Sequence, residues 1–260
     1  MRSSLEYALL AAKTGTMPRR RNLDQLWAAL RPFERAQLER EAGQLAGRGV
    51  RAAPGDGGWP LFHTGPYESI GRRVLAVCAP REAGPAATAL AELAARAAVA
   101  AGAAVLAGDA EGPETAAVAA ALAAGGLAVS VQAEGLGSAA GSRNRVAVSP
   151  SAPGQPWSMD AAMACNAAIA RLCTALVAIC AGSTGATVDA AMRALAAGHP
   201  VLAVGATAGS RLLVDYGATA AVDEVELMWW LDTRFADAGP RSHSTGQIGS
   251  TRSGRTAVVG

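Results

Sequence analysis

The sequence predicts an α/β fold, namely a Rossmann-like open, mostly parallel sheet with helices on both faces, preceded by a small helical N-terminal region. Short apolar runs recur between residues 74 and 222, and segments with helical patterning separate them. Glycine or proline marks most of the junctions. Such alternation is typical of repeated βα units. The runs lack polar alternation, as expected for strands that are buried on both faces of a parallel sheet.

The first 62 residues are expected to form the helical region. Leucines at positions 5, 9 and 10 make one apolar stripe, and residues 23–30 carry Leu or Trp at spacings of three and four. Pro32 is suited to begin a further helix, which Gly47 or Gly49 would end. The turn-rich segment at residues 54–60 closes this region.

Residues 68–233 are predicted to form the Rossmann-like domain. Its seven apolar runs lie at residues 74–78, 104–107, 127–131, 145–149, 175–179, 200–204 and 219–222. Helices are expected at residues 86–101, 113–124, 159–172 and 187–197. Residues 234–260 are rich in Ser, Thr, Gly and Arg and are expected to be a disordered tail. Ligands of such folds bind beyond the carboxyl ends of the strands.

Composition and charge exclude several classes of protein. The chain is 51% hydrophobic and 17% charged, which excludes a wholly disordered protein. The four cysteines form no CxxC pair, so no metal site is expected. Neither a membrane span nor a signal peptide is visible, and a cytoplasmic location is expected. Residues 61–230 hold nine Lys/Arg against thirteen Asp/Glu, so a basic footprint for nucleic acid must be local or terminal.

A glycine-bearing turn at residues 108–112 is the first candidate binding site, because it follows a strand and opens a helix. Backbone N–H groups and the helix N-terminus there favour an anion. The candidate contacts are Gly108, Ala110 and Gly112. Asp109, Glu111 and Glu114 crowd the same turn, so a plain βα turn with acidic helix caps is an equal alternative.

A second turn of the same kind, residues 182–187, follows the fifth run and carries hydroxyls instead of acids. The candidate contacts are Ser183, Thr184, Gly185 and Thr187, which either bind a phosphate or cap the helix. No lysine follows the glycine, so this is not a Walker A loop. Ser149, in a proline-rich loop, and the cations Arg81 and Arg211 are expected on the same ligand-facing side.

No catalytic constellation is visible in the sequence. No histidine accompanies a serine or cysteine in a nucleophile-elbow pattern. No carboxylate pair has neighbours that would separate its pKa values. A non-catalytic protein without a cofactor is therefore predicted.

Residues 108–136 resemble the DprA/Smf family of DNA-processing proteins. That family shows a Gly-x-Ala-x-Gly turn, then Ala-Leu-x-x-Gly-Gly, then a strand that ends in Gly-Leu, and the same order occurs here. Residues 149–154 are similar to its Ser-Glu-x-Pro-x-Gly loop. Residues 198–205 and 213–218 resemble its last strand and its Leu-Ile-x-x-Gly-Ala ending. The likeness runs in family order over residues 5–233.

The resemblance implies a protein that binds single-stranded DNA without catalysis, forms a homodimer and helps to load RecA in natural transformation and recombination. Asn166 falls at the centre of the family's Arg-Asn-Arg motif, which is Cys165-Asn166-Ala167 here. A lone Asn on an Ala-rich helix is otherwise typical of a buried residue that satisfies the backbone. Because both motif arginines are absent, weaker binding with a smaller salt dependence is expected.

Two alternatives stay open from the sequence. A sensor of a nucleotide or another phosphate ligand on the same fold is favoured by the acidic residues 61–230 and the missing arginine pair. Hydrolysis of a nucleotide glycosidic bond by Glu111 or Glu114 is the weakest interpretation, since the sequence places no partner group beside them.

Overall fold

The structure is a computed structural model that describes residues 4–14, 20–53, 60–136 and 143–235. The strands are β1 (Arg51–Ala53), β2 (Leu61–Thr64), β3 (Val74–Cys78), β4 (Ala104–Gly108), β5 (Ala128–Val131), β6 (Arg145–Ser149), β7 (Ala175–Ile179), β8 (Val201–Val204) and β9 (Thr219–Ala221). The α-helices are α1 (Ser4–Thr14), α2 (Arg20–Ala29), α3 (Pro32–Gly47), α4 (Gly84–Ala100), α5 (Pro113–Ala123), α6 (Met159–Leu172), α7 (Ala186–Ala196), α8 (Ala208–Asp215) and α9 (Glu224–Phe235).

All the strands belong to one sheet in the order β1-β2-β6-β5-β4-β3-β7-β8-β9. Strands β3 to β9 pair in parallel, whereas β1 and β2 are antiparallel and extend the sheet beyond β6. The chain runs from β3 through β4 and β5 to β6, then crosses to β7 on the other side of β3. The point where the strand order reverses therefore lies between β3 and β7, where such folds bind ligands. The predicted Rossmann-like α/β fold is confirmed.

Alternate residues of the central strands face two separate cores, which is why the runs are apolar throughout. On β3, Val74 and Cys78 join the core beneath α6 and α7, whereas Leu75 and Val77 join the core beneath α4, α5 and α9. The helices contribute mainly alanines, and those at positions 87, 91, 94, 95 and 98 of α4 are fully buried.

The N-terminal helices pack on the sheet through a third core. Trp27, Leu45 and Leu9 are buried there against Phe62 of β2 and Ala147 of β6. The helical N-terminal region expected from the sequence, residues 1–62, therefore also contains β1 and the first two residues of β2. The predicted boundary between the two regions, with the N-terminal region ending at residue 62 and the Rossmann-like domain beginning at residue 68, stays a prediction.

Helix α9 was not expected from the sequence, although its N-terminus carries a readable signal. The carboxylate of Asp223 accepts hydrogen bonds from the backbone N–H groups of Val225 and Glu226, both at 3.0 Å, as a capping residue does. The helix continues to Phe235, two residues into the predicted tail, and residues 236–260 lie outside the described ranges. Among the described residues, no helix combines the length and the apolar character that crossing a membrane requires.

Truncation of Phe62 is expected to test how firmly the N-terminal helices are coupled to the sheet. Phe62 is fully buried, so Phe62→Ala should lower the free energy of unfolding by about 3–5 kcal/mol. The control is Phe33→Ala on α3, whose side chain is 69% exposed and whose loss should cost less than about 0.5 kcal/mol. Urea unfolding followed by circular dichroism measures both. Equal losses in the two variants would contradict the docking of the helices on β2.

Candidate functional site

A cleft of about 410 Å³ opens at the carboxyl ends of β3, β4 and β5 and is covered by α6 and the start of α7. It is lined by Cys78, Arg81, Gly108, Asp109, Ala110, Glu114, Val131, Ala133, Glu134, Trp157, Ala162, Cys165, Asn166, Ile169, Ala186 and Ala190. Of the residues expected at the site, the cleft brings together Arg81, Gly108, Ala110 and Asn166. The cleft lies beside the point where the strand order reverses.

Glu114, in the first turn of α5, holds two strand ends together at the floor of the cleft. Its carboxylate accepts a hydrogen bond from the Ala79 N–H at 3.2 Å, just beyond β3. Burial raises the pKa of this carboxyl to about 7, and the backbone N–H groups of Ala79 and Gly108 partly offset that rise. Gly108 has no room for a side chain, because a Cβ there would collide with the Glu114 carboxylate.

The charged groups that line the cleft are mostly acidic. Partial burial raises the pKa of Asp109, and the nearby Glu134 raises it further, while Arg81 acts in the opposite direction. Asp109, Glu114 and Glu134 thus face a single lining cation, Arg81. A phosphate inside the cleft would meet like charges at short range.

Asn166 is held from α7. Its exposed fraction is 8%, and its side-chain Nδ2 donates to Asp189 Oδ2 at 2.9 Å. The same oxygen accepts a hydrogen bond from Arg193 Nε, also at 2.9 Å. The Asn166 amide group is therefore oriented by this pair, and its Oδ1 accepts no hydrogen bond from the described residues.

The second glycine turn lies at the same edge of the sheet as the first, with β3 between the two parent strands. Ser183, Thr184 and Gly185 are exposed and do not line the cleft, whereas Thr187 is buried in α7. Gly185 precedes α7 with φ +108°, which favours glycine. Helix α8 packs against this turn through Gly209, whereas Arg211, two residues further along the helix, is exposed and does not line the cleft.

Ser149 is fully buried and holds a loop in place. Its hydroxyl donates to the Glu134 carbonyl at 3.0 Å and accepts from the Ser151 N–H at 3.0 Å. Ser151 in turn donates through its hydroxyl to the Ala133 carbonyl at 2.8 Å. Ser149 therefore positions the segment that carries Glu134.

Gly112 of the first glycine turn also has a packing role. A Cβ at this position would lie 2.6 Å from the backbone carbonyl oxygen of Arg81.

Sequence reasoning missed two lining residues, Glu134 and Trp157. The Trp157 side chain is 56% exposed at the cleft, just before the Ser158 cap of α6. The sequence carried a signal for Trp157, because this large aromatic residue stands between a proline-rich loop and a helix cap. Within the described part of the chain, no group of three or more His, Cys, Asp or Glu is arranged to hold a metal ion.

Comparison with known proteins gives one family match. The model of the family described as DNA recombination-mediator protein A matches residues 55–229. No curated protein matches the chain.

Several solved structures share the fold at low sequence identity. DNA processing protein A from Streptococcus pneumoniae aligns with a TM-score of 0.61 and 18% identity over 86% of this chain and 91% of that chain. DNA processing protein A from Helicobacter pylori, solved for its single-stranded DNA binding mode, aligns with a TM-score of 0.61 and 15% identity over 71% of this chain and 96% of that chain. A molybdenum cofactor binding protein from Rippkaea orientalis aligns with a TM-score of 0.51 and 17% identity over 64% of this chain and 99% of that chain.

Glu114→Gln is expected to change how stability depends on pH. The folded protein keeps the Glu114 proton up to about pH 7, whereas the unfolded chain releases it near the ordinary value of 4.5. The bound proton of Glu114 therefore stabilises the folded protein in full below pH 4.5. This contribution is lost as pH rises to about 7, which lowers the free energy of unfolding by about 3 kcal/mol. The variant lacks this loss, so the difference in unfolding free energy between the two proteins should change across that range.

Urea titrations at a series of pH values measure the effect. Glu111→Gln is the matched control, because Glu111 is an exposed acid of the same turn that does not line the cleft. Its pH profile should follow that of the natural protein. Parallel profiles for Glu114→Gln and the natural protein would show that Glu114 does not titrate in this range.

Proposed function

The chain belongs to the DNA recombination-mediator protein A family, and on this premise we propose that it binds single-stranded DNA without catalysis. The observation that carries the proposal is that every residue lining the cleft falls within the matched range, 55–229. The Helicobacter pylori relative, which shares the fold, is described as binding single-stranded DNA. In this proposal residues 68–233 form the binding domain, beside the helical residues 1–62 and the tail 234–260.

The exposed groups around the cleft are suited to a single strand. Arg81 at the cleft and the exposed Arg211 on α8 are cations for phosphates. The exposed turn at residues 182–185 offers hydroxyls and the N-terminal end of α7 to a further phosphate. Trp157 presents an aromatic face on which a base can stack. Contacts of these kinds bind a strand with little dependence on its sequence.

A sensor of a free nucleotide or phosphate ligand is not favoured. A phosphate placed in the cleft would face Asp109 and Glu134 with only Arg81 to neutralise it. A single strand avoids this conflict, because its phosphates can stay at the rim while a base enters. The acidic lining therefore favours the polymer over the small anion.

Binding of single-stranded DNA is tested by fluorescence anisotropy with a mixed-sequence oligonucleotide at low salt. Arg81→Gln should weaken binding and reduce the slope of log K against log salt by about 0.7, the contribution of one phosphate contact. Trp157→Ala should weaken binding by about 1–3 kcal/mol through the loss of one stacked base. Arg40→Gln on α3, an exposed arginine outside the cleft, is the control and should leave both quantities unchanged. No binding by the natural protein at tens of micromolar would refute the proposal.

A homodimer is part of the proposal, and its interface is the edge of the sheet at β9. This strand pairs with β8 alone among the described strands, so its other edge is open to a further strand. Exposed apolar side chains lie close to this strand in the sequence, on α8 and α9 and in the segments directly after α8 and β9, namely Val214, Tyr216, Val222, Val225 and Trp229. Loading of RecA onto the bound strand and a cytoplasmic location belong to the same proposal, and family membership supports them.

Trp229→Ser is expected to separate the dimer, because the side chain is 65% exposed in the single chain and would be buried at the interface. Sedimentation velocity should show the natural protein as a dimer and the variant shifted towards a monomer. Phe33→Ser, which removes another exposed aromatic far along the chain on α3, should leave the dimer intact. A natural protein that sediments as a monomer, or two variants that behave alike, would refute this interface.

A further inference from the structure

The cleft differs from a phosphate site in one respect that determines what can enter it: most of its unpaired polar side-chain atoms accept hydrogen bonds. From this we propose that the cleft selects bases that carry an exocyclic amino group, and that among the pyrimidines it takes cytosine and disfavours thymine. The inference deepens the proposed function and rests on it, because it concerns the same cleft and the same bound strand.

Several donors around the cleft are already engaged by the protein. The Ala79 N–H donates to Glu114, the Asn166 Nδ2 donates to Asp189, and the Ser149 hydroxyl donates to the Glu134 carbonyl. These bonds use the groups that would otherwise bind a carbonyl or phosphate oxygen of a ligand. Among the lining side chains that the structure describes, Arg81 is the one cation, and the neutral N–H donors that remain are the Trp157 indole N–H and the second N–H of the Asn166 amide.

The acceptors of the cleft, in contrast, have capacity to spare. Each carboxylate offers several lone-pair positions, and Asp109 and Glu134 lie close enough for one to raise the pKa of the other. Asn166 adds an amide oxygen that accepts nothing from the described residues. A ligand that brings N–H donors relieves the repulsion between these groups, whereas one that brings only carbonyl oxygens adds to it.

Cytosine and thymine differ at the position that such acceptors contact. Cytosine has the N4 amino group with two N–H donors, which carboxylates of Asp and Glu accept from, whereas thymine has the O4 carbonyl there and offers one N–H, at N3. The volume of about 410 Å³ lies within the range of pockets that hold small ligands, and Trp157 stands at the cleft to stack on the inserted ring. Shape therefore admits either pyrimidine, and hydrogen bonding separates them.

The test compares oligo-dC and oligo-dT of equal length by anisotropy, with the full chain and in mildly alkaline buffer so that cytosine strands stay unpaired. The natural protein should bind oligo-dC at least about fivefold more tightly, since one specific base contact discriminates by at least that factor. Asp109→Asn combined with Glu134→Gln should abolish this preference and strengthen binding of oligo-dT, because two charges that repel the strand are gone. Glu111→Gln is the matched control, since this acid of the same turn lies outside the lining, and it should keep the preference.

The outcomes separate the inference from the proposed function. Equal affinities of the natural protein for the two oligonucleotides would overturn the base preference and leave single-stranded DNA binding intact. A preference that survives in the Asp109/Glu134 double variant, or is lost in Glu111→Gln, would overturn its assignment to the cleft. Failure to bind either oligonucleotide would overturn the proposed function itself, and the inference with it.

Discussion

The buried carboxylate of Glu114 is the constraint on which the geometry of the cleft depends. It ties the segment after β3 to the start of α5 through the Ala79 N–H, and it occupies the space that a side chain at position 108 would need. The neighbouring Gly112 has φ +105° and lies against the Arg81 backbone, so a side chain there would be both strained and crowded. Gly108 thus makes room for a carboxyl group between two strand ends, and Gly112 allows the turn to approach the Arg81 backbone.

This reason for the glycines changes what the turn can bind. In a phosphate-binding turn, glycines let backbone N–H groups approach an anion at the helix N-terminus. Here the protein's own carboxyl group, that of Glu114, takes that place, and its neighbours Asp109 and Glu134 keep an anion out of the interior. The helix N-terminus still contributes, because its positive end favours a carboxylate in the first turn of α5. An external phosphate is consequently limited to the rim.

The sheet was predictable because burial on both faces leaves a clear mark in the sequence. The apolar runs at residues 74–78, 145–149 and 175–179 coincide with β3, β6 and β7. Strands β1 and β2 contain only three and four residues. They belong to the sheet because β2 pairs with β6 and β1 pairs with β2, and no local sequence pattern reveals such pairing. The residues of the site were harder to predict, because the roles of Ser149 and Trp157 depend on how far each is buried in the fold. The Ser149 hydroxyl is buried and engaged in hydrogen bonds within the protein, whereas the Trp157 indole is exposed at the cleft.

Asn166 shows how the acidic lining and the missing arginine pair belong together. An arginine at position 165 or 167 would have stood next to Asp109 or on the exposed side of α6, and the chain carries Cys165 and Ala167 there instead. Arg193, on the neighbouring helix, does not replace them, because Asp189 holds it while also holding the Asn166 amide. Arg193 is thereby neutralised before it can serve the cleft. The absence of arginines beside Asn166 and the presence of Asp109 and Glu134 in the same lining act in the same direction, and together they leave a lining whose side chains mainly accept hydrogen bonds.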